Sequence, residues 1–148
     1  MKKIVLVSGG FDPIHSGHIQ YFKSARELGD ELWVAINSDM WLTRKKGQAF
    51  MSFAERKIII ENLKMVDQVI SFDDADDTAI DAINKVKERN SESKIIFANG
   101  GDRTKENSPE QALTGVDFVF GVGGEHKINS SSVILENWRG NLLWQHYF

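Results

Sequence analysis

Apolar residues fall into short runs along this chain, separated by longer segments in which apolar positions recur with helical spacing. The run Leu-Trp-Val-Ala-Ile at 32–36 is typical of a parallel strand buried on both faces. Helical spacing is clear where Ile80, Ile83 and Val86 share one face of an otherwise polar segment. The pattern predicts strands at 3–8, 31–37, 68–72, 94–98 and 117–121, and helices at 17–28, 53–63, 77–89 and 132–138.

This alternation of strands and helices predicts an α/β fold. We expect one Rossmann-like domain, with a five-stranded parallel sheet, right-handed crossovers and helices on both faces. The 148 residues suffice for one hydrophobic core rather than two, so residues 1–148 are interpreted as a single domain. Ligands of such sheets bind beyond the carboxyl ends of the strands, which makes the residues after each strand the candidates for function.

Three segments stand outside the regular pattern. The sequence predicts long loops at 38–52 and 99–109, and loops of this length in a compact domain are often functional. The last eleven residues, 138–148, contain two Trp, one Tyr and one Phe. We expect this aromatic tail to dock on its own domain or on a partner subunit, because exposing it to water would be costly.

Charge and composition exclude several functional classes. With 18 basic and 21 acidic residues the net charge is −3, which gives no field to attract nucleic acid or an anionic membrane. The absence of cysteine excludes disulfides and thiolate chemistry and fits a cytoplasmic location, which we expect. The N-terminus begins like a signal peptide, but its apolar run stops at Ser8, so we interpret it as the first strand.

The strongest functional signal is the run Gly-Gly-Phe-Asp-Pro-Ile-His-Ser-Gly-His at 9–18, between the first strand and the first helix. Glycines let the backbone approach a ligand closely, and a helix N-terminus offers unpaired N–H groups and partial positive charge to a phosphate. His15 and His18 add imidazole donors that can stabilise charge on a phosphoryl group in transfer. A glycine turn or a surface histidine alone would indicate little, but the combination predicts a phosphate site.

These residues carry a family resemblance. His15-Ser16-Gly17-His18 matches the HxGH signature of the nucleotidyltransferase superfamily. The wider pattern resembles its cytidylyltransferase branch, which includes glycerol-3-phosphate cytidylyltransferase and heptose 1-phosphate adenylyltransferase, and the resemblance runs from residue 2 to about 135. It implies transfer of a CMP or AMP group from CTP or ATP to a sugar or polyol phosphate, with release of pyrophosphate. It also implies Mg²⁺ on the triphosphate, without a dedicated protein metal site, and a homodimer.

The resemblance assigns roles to the residues of the first half. His15, His18 and Lys46 are implied as catalytic, with Lys46 on a mobile loop that closes over the phosphates. Gly9, Gly10, Phe11 and Gly17 are implied to bind the nucleotide. Asp12 and Arg56 are implied on the substrate side. Alternatives remain open: a solvated basic loop for Lys46, a cap or turn for Asp12, and bracing of the loop or a surface ion pair for Arg56.

The second half matches the family less completely. Gly101 and Asp102 follow the fourth predicted strand as Gly-Asp does in the family, and the Gly-Gly-Asp form is more similar to the heptose enzymes. Arg103 would add a phosphate contact or lie on the surface. Ser130, Ser131 and Ser132 fit the hydroxyl positions of the second family signature, where they would bind phosphate or cap a helix.

The second signature also raises an alternative function. Glu125 and Ile128 stand where the family has arginine and glycine. A catalytically weak, nucleotide-binding regulatory domain of the same fold therefore stays open, as does a structural role centred on the aromatic tail. The sequence does not decide between CTP and ATP.

Overall fold

A computed structural model describes residues 1–101, 103–124 and 130–147, with side chains as far as residue 140. The strands are Lys3–Gly9 (β1), Glu31–Ile36 (β2), Gln68–Ile70 (β3), Lys94–Ala98 (β4) and Val116–Val119 (β5). The helices are Ser16–Arg26 (α1), Asp39–Lys46 (α2), Phe53–Glu61 (α3), Ile80–Arg89 (α4) and Ser131–Tyr147 (α5), and short 3-10 helices lie at Lys105–Asn107 and Pro109–Ala112.

The strands form one parallel sheet in the order β3-β2-β1-β4-β5. Strand β1 lies at the centre, and its register pairs Val7 with Val34 of β2 and Leu6 with Phe97 of β4. The chain builds β2 and β3 on one side of β1 and then crosses to β4 on the other side. The order of strands therefore reverses between β1 and β4, where open α/β sheets hold their ligands.

Helices cover both faces of the sheet, as predicted. Side chains alternate along a strand, so Ile4 and Leu6 of β1 face α4, where Ile83 and Val86 are fully buried. Val5 and Val7 face the opposite side and pack with residues of α1 and α3, among them Phe22, Ala25 and Ile60. The single α/β domain with a five-stranded parallel sheet is thus confirmed.

The segment 38–52 differs from the predicted loop, because it contains helix α2. The Ser38 side chain caps this helix by accepting from the Trp41 N–H at 3.1 Å, and Gly47 ends it with a φ of 95°. Only Leu42 of α2 is buried. A helix of eight residues that buries one side chain shows almost no apolar periodicity, so the sequence pattern did not reveal it.

Other element boundaries also differ from the predicted ones. Helix α4 begins at Ile80 rather than at 77, because Asp77 has a φ of 63° and belongs to the preceding turn. Helix α5 continues to Tyr147, so residues 138–147 of the predicted aromatic tail form the second half of a helix. The segment predicted as a loop at 99–109 includes the first 3-10 helix and the start of the second. No helix in the described ranges is long and apolar enough to cross a membrane.

Gly29 offers a test of the packing between the α1–β2 turn and β1. A Cβ at Gly29 would lie 2.8 Å from Val5 Cγ2 and 2.9 Å from the Lys3 carbonyl oxygen. We expect Gly29→Ala to lower the free energy of unfolding by about 2 kcal/mol, because backbone must move to admit the methyl group. The control is Gly140→Ala in α5, where no described atom outside the adjacent helix backbone lies within 4 Å of the added Cβ. That substitution should be neutral or stabilising by about 1 kcal/mol. Urea denaturation measures the free energy of unfolding of both variants. Equal changes in the two variants would contradict close packing at Gly29.

Candidate active site

A cavity of about 490 Å³ opens at the carboxyl ends of the strands, where the strand order reverses between β1 and β4. Its volume lies in the range of small-molecule sites. The wall is built from the glycine turn after β1, the start of α1, helix α2, the loop after β4 and the start of α5. Predicted site residues that line it are Gly9, Gly10, Phe11, Asp12, His15, Gly17, His18, Lys46, Gly101, Arg103, Ser130, Ser131 and Ser132.

His15 and His18 cap the first turn of α1 reciprocally. Nδ1 of His15 accepts from the Gly17 backbone N–H at 3.0 Å, and Nδ1 of His18 accepts from the His15 backbone N–H at 3.2 Å. The two rings stack with their centroids 3.8 Å apart. Because each Nδ1 is an acceptor, the neutral rings carry their proton on Nε2. Both imidazoles thus provide Nε2–H donors in a cavity that also contains the N-terminus of a helix.

The glycine turn packs against His18 through the ring of Phe11. Phe11 adopts a φ of 51°, is buried, and places its ring edge-on to His18 at a centroid distance of 5.0 Å. A Cβ at Gly9 would lie 2.8 Å from the Phe11 ring, and one at Gly10 would lie 2.9 Å from Leu42 of α2. The Phe11 ring therefore leaves no room for a side chain at Gly9, and a side chain at Gly10 would have to displace the end of Leu42.

Asp12 and Lys46 form an ion pair that connects the glycine turn to the end of α2. Lys46 Nζ lies 3.0 Å from Asp12 Oδ2 and also donates to the Asp12 carbonyl oxygen. The same carboxylate accepts from the backbone N–H groups of Phe50 and Met51 at 2.7 and 2.6 Å. Asp12 is 2% exposed, and its carboxylate is occupied by protein donors. The structure therefore places Asp12 as the anchor of Lys46 and of the segment after α2.

Arg56 does not line the cavity, in contrast to its predicted place on the substrate side. Its side chain is fully buried. The guanidinium donates to the carbonyl oxygens of Met51, Gly10 and Asn37 at 3.0, 2.8 and 2.8 Å, and it pairs with Asp39 at 2.7 Å. These contacts fit the bracing alternative, because they join the turn after β1, the end of β2 and the start of α2.

The buried carboxylate of Asp74 also stabilises the start of α2. The Asp74 carboxylate accepts from the Ser38 N–H, the Ser38 hydroxyl and the Asn37 amide at 2.7, 2.8 and 3.1 Å. Burial raises the pKa of Asp74, but the hydrogen bonds from Ser38 and Asn37 outweigh it and leave the pKa below its ordinary value. Arg44 of α2 donates to the Asp74 carbonyl oxygen at 2.9 Å and pairs with Asp77 at 3.1 Å.

The remaining predicted residues that the structure describes lie at the start of α5 and in the loop after β4. Ser131 Oγ donates to the Pro13 carbonyl oxygen at 2.8 Å, which fastens the start of α5 to the glycine turn. Arg103 is exposed and donates to the Asn107 carbonyl oxygen at 3.0 Å. Asp102, Glu125 and Ile128 lie outside the described residues.

Several lining residues were not singled out by the sequence pattern: Tyr21, Trp41, Asn99, Glu110 and Gly123. Asn99 directly follows β4 and could have been found by its position at a strand end. Gly123 has a φ of 86°, and a Cβ there would lie 3.0 Å from Tyr21 Cα. Glu110 and Trp41 come from a 3-10 helix and from α2, elements that the sequence pattern did not reveal.

The arrangement suits binding and stabilising an anion undergoing substitution. Two histidines, Lys46 and the N-terminus of α1 all border one cavity. Among the described residues, no group of three or more His, Asp or Glu side chains could hold a metal ion. A divalent cation here would have to be carried largely by phosphate oxygens and water, which is how Mg²⁺ usually binds with nucleotides.

Replacing Arg56 tests whether its role is structural. We expect Arg56→Met to lower the free energy of unfolding by about 3 kcal/mol, because buried carbonyl oxygens lose their donor. Arg139→Met is the matched control, since Arg139 is exposed on α5, and it should change stability by less than about 0.5 kcal/mol. Chemical denaturation measures both, and an Arg56 variant as stable as the control would contradict the bracing role.

The lowered pKa of Asp74 predicts a pH-dependent contribution to stability. Because the folded-state pKa lies below the unfolded value of about 4, the carboxylate stabilises the fold above that pH. The contribution disappears as the pH falls through the folded-state pKa. We therefore expect Asp74→Asn to be less stable than the unsubstituted chain at pH 7, with the difference shrinking below about pH 4. Denaturant midpoints of both proteins are measured across this pH range. A difference in stability that does not change with pH would exclude a contribution from Asp74 ionisation.

Comparison with known proteins places this site in a family. The family model described as cytidylyltransferase-like matches residues 6–134. The bifunctional protein HldE of Hahella chejuensis is 38% identical over 126 residues, which cover 84% of this chain and 24% of that protein. The HldE protein of a Marinomonas species is 35% identical over 129 residues, covering 86% of this chain and 24% of that protein. The chain thus spans about a quarter of the length of these curated relatives.

Solved structures agree with this assignment. The lipopolysaccharide core biosynthesis protein of Thermoplasma volcanium superposes with a TM-score of 0.63 at 26% identity, covering 81% of this chain and 96% of that chain. A putative nicotinate-nucleotide adenylyltransferase of Vibrio parahaemolyticus gives a TM-score of 0.57 at 19% identity over 90% of this chain and 78% of that chain, which shows a shared fold. Given the family match over most of its length and the histidine-capped glycine turn at the switch in strand order, the chain belongs to the cytidylyltransferase-like family.

Proposed function

We propose that this protein is a nucleotidyltransferase. It transfers an AMP or CMP group from ATP or CTP to the phosphate of a sugar or polyol phosphate and releases pyrophosphate. The observation that carries the proposal is the reciprocal cap of His15 and His18, two cavity-lining residues whose neutral rings then carry their proton on Nε2. Structural capping alone would be served by serine or aspartate, which provide no second donor.

The reaction needs charge stabilisation and positioning more than proton transfer. An oxygen of the acceptor phosphate attacks the α-phosphorus, the bond from that phosphorus to the bridging oxygen breaks, and pyrophosphate leaves with that oxygen. The acceptor phosphate is already ionised at neutral pH, so no strong base is required. In this mechanism the Nε2–H groups of His15 and His18 donate to the oxygens that gain charge, and the partial positive charge at the N-terminus of α1 favours that charge.

Lys46 adds a positive charge beside the reacting groups. In the structure Asp12 holds its ammonium at 3.0 Å, and the Lys46 side chain stays 26% exposed. Asp12 thereby fixes the position of the Lys46 ammonium group. The exposed part of the Lys46 side chain leaves room for this group to turn towards incoming phosphates. The predicted mobile loop is here a helix whose last residue is Lys46. Any closing motion would therefore move α2 as a unit.

Several features of the proposal rest on the relatives and on the resemblance. A sugar phosphate acceptor is supported by the structural relative named for lipopolysaccharide core biosynthesis. Mg²⁺ is proposed as the cofactor, where it would neutralise charge on the triphosphate. A homodimer and a cytoplasmic location are proposed from the resemblance and from the absence of cysteine. ATP and CTP are the two nucleotides to be tested.

Calorimetric titration with ATP and with CTP, each with Mg²⁺, tests the nucleotide site directly. We expect saturable binding of one of them and, with heptose 1-phosphate or glycerol 3-phosphate added, release of pyrophosphate. Nucleotide binding with no pyrophosphate release from either acceptor would favour a regulatory domain instead. Binding of neither nucleotide would contradict the proposal.

A pair of substitutions at His18 separates its capping role from its catalytic role. Asn places an acceptor oxygen near the position of Nδ1 and so preserves the bond from the His15 N–H, but it supplies nothing at Nε2. We expect His18→Asn to fold with nearly unchanged Tm, while kcat falls by about 100-fold or more. His18→Ala should lose both activity and the cap, with a lower Tm. Thermal unfolding and steady-state pyrophosphate release provide the two readouts, and full activity in His18→Asn would exclude the mechanism.

A further inference from the structure

The two walls of the cavity differ in charge. One wall adjoins α1 and provides the imidazoles of His15 and His18, with Lys46 beside them. The opposite wall adjoins α4, and its described residues include the carboxylates of Asp77 and Glu110. The first wall stabilises a triphosphate. In the second wall Asp77 is paired with Arg44, so the buried carboxylate of Glu110 is the group that repels a phosphate placed against it. The α4-side wall therefore suits a part of a substrate that carries no phosphate.

Glu110 is the central feature of this second wall. It is 5% exposed although it lines the cavity, and it lies on the second 3-10 helix after β4. Its Oε1 accepts from the Ala79 N–H at 3.0 Å, just before α4 begins. This bond fixes the carboxylate against the wall and leaves it with further acceptor capacity, since an ionised carboxylate has about four lone-pair sites.

Asn99 lies on the same side of the sheet. It follows Phe97 with the spacing of a strand, and Phe97 packs in the core beneath α4. Its backbone is fixed by bonds to Val119 and Val122 at 2.8 and 3.0 Å. Its side-chain Nδ2 is buried and has no hydrogen-bond partner among the described residues. Buried polar groups are normally satisfied, so an orphaned amide in a cavity wall points to a partner supplied by a ligand.

We propose that Glu110 and Asn99 form a hydroxyl-recognition subsite for the acceptor. This inference rests on the proposed nucleotidyl transfer. The Glu110 carboxylate accepts from acceptor hydroxyls and the Asn99 amide donates to them. A hydroxyl both donates and accepts, so a carboxylate and an amide together match a polyhydroxylated group, whereas a bare phosphate satisfies only the donor. The pair would select acceptors that present hydroxyls beyond their phosphate.

The test compares ligands that share a phosphate and differ in hydroxyls. Affinities for heptose 1-phosphate, glycerol 3-phosphate and methyl phosphate are measured by calorimetry on the unsubstituted chain and on Glu110→Gln. The glutamine can still accept from the Ala79 N–H, so the fold should be retained. We expect at least one hydroxylated phosphate to bind more tightly than methyl phosphate, and Glu110→Gln to reduce this preference by about tenfold. Affinity for methyl phosphate and for the nucleotide should change by less than about twofold.

Two further variants make the result specific. Asn99→Ala should also reduce the preference, and thermal unfolding shows that it remains folded. Glu106→Gln is the matched control, because Glu106 is an exposed residue of the first 3-10 helix and does not line the cavity. It should leave every affinity unchanged.

Two outcomes would overturn the subsite. One is equal binding of all three phosphates by the unsubstituted chain. The other is a Glu110→Gln variant that keeps the full preference, or that weakens ATP or CTP instead and so assigns the wall to the nucleotide. Failure of the proposed function is separate, since it would appear as absent pyrophosphate release while these binding differences remain measurable.

Discussion

The buried guanidinium of Arg56 is the interaction on which the rest of the site depends. It is fully buried and reaches from α3 to the turn after β1, the end of β2 and the start of α2. A buried cation is tolerated only when its donors are satisfied, and here backbone carbonyls and Asp39 satisfy them. Because those carbonyls belong to separate segments, a single side chain sets the spacing between the glycine turn and the helix that carries Lys46.

The same side chains hold the architecture of the site and would serve the proposed chemistry. The Nδ1 atoms of His15 and His18 close the first turn of α1, and this use determines that the proton is on Nε2. Asp12 holds the segment after α2 through two backbone N–H groups and holds Lys46 through an ion pair. Charges that the proposed reaction needs are thus positioned before any substrate arrives, which lowers the cost of reorganisation in the transition state.

Prediction from the sequence was most successful where a signal is local. The apolar runs identified β1, β2 and β4 because a parallel strand buried on both faces needs consecutive apolar residues, and they also located the less buried edge strands β3 and β5. The residues of the turn at 9–18 were identified because glycines, histidines and a helix start are adjacent in the chain. Helix α2 was missed, because a short helix that buries only Leu42 has almost no apolar periodicity, and its stability comes from Ser38, Asp74 and Arg56.

The sequence by itself determined the class of fold, the position of the glycine turn and the family. Only the tertiary structure decided what Arg56 and Asp12 contact, since each side chain bonds to segments more than thirty residues away or to several elements at once. Only the tertiary structure brought Asn99 and Glu110 into the same cavity as the histidines. The physical reason is that a buried polar side chain takes its role from the donors and acceptors that surround it in space. Those partners follow from the order of the strands, which no local pattern encodes.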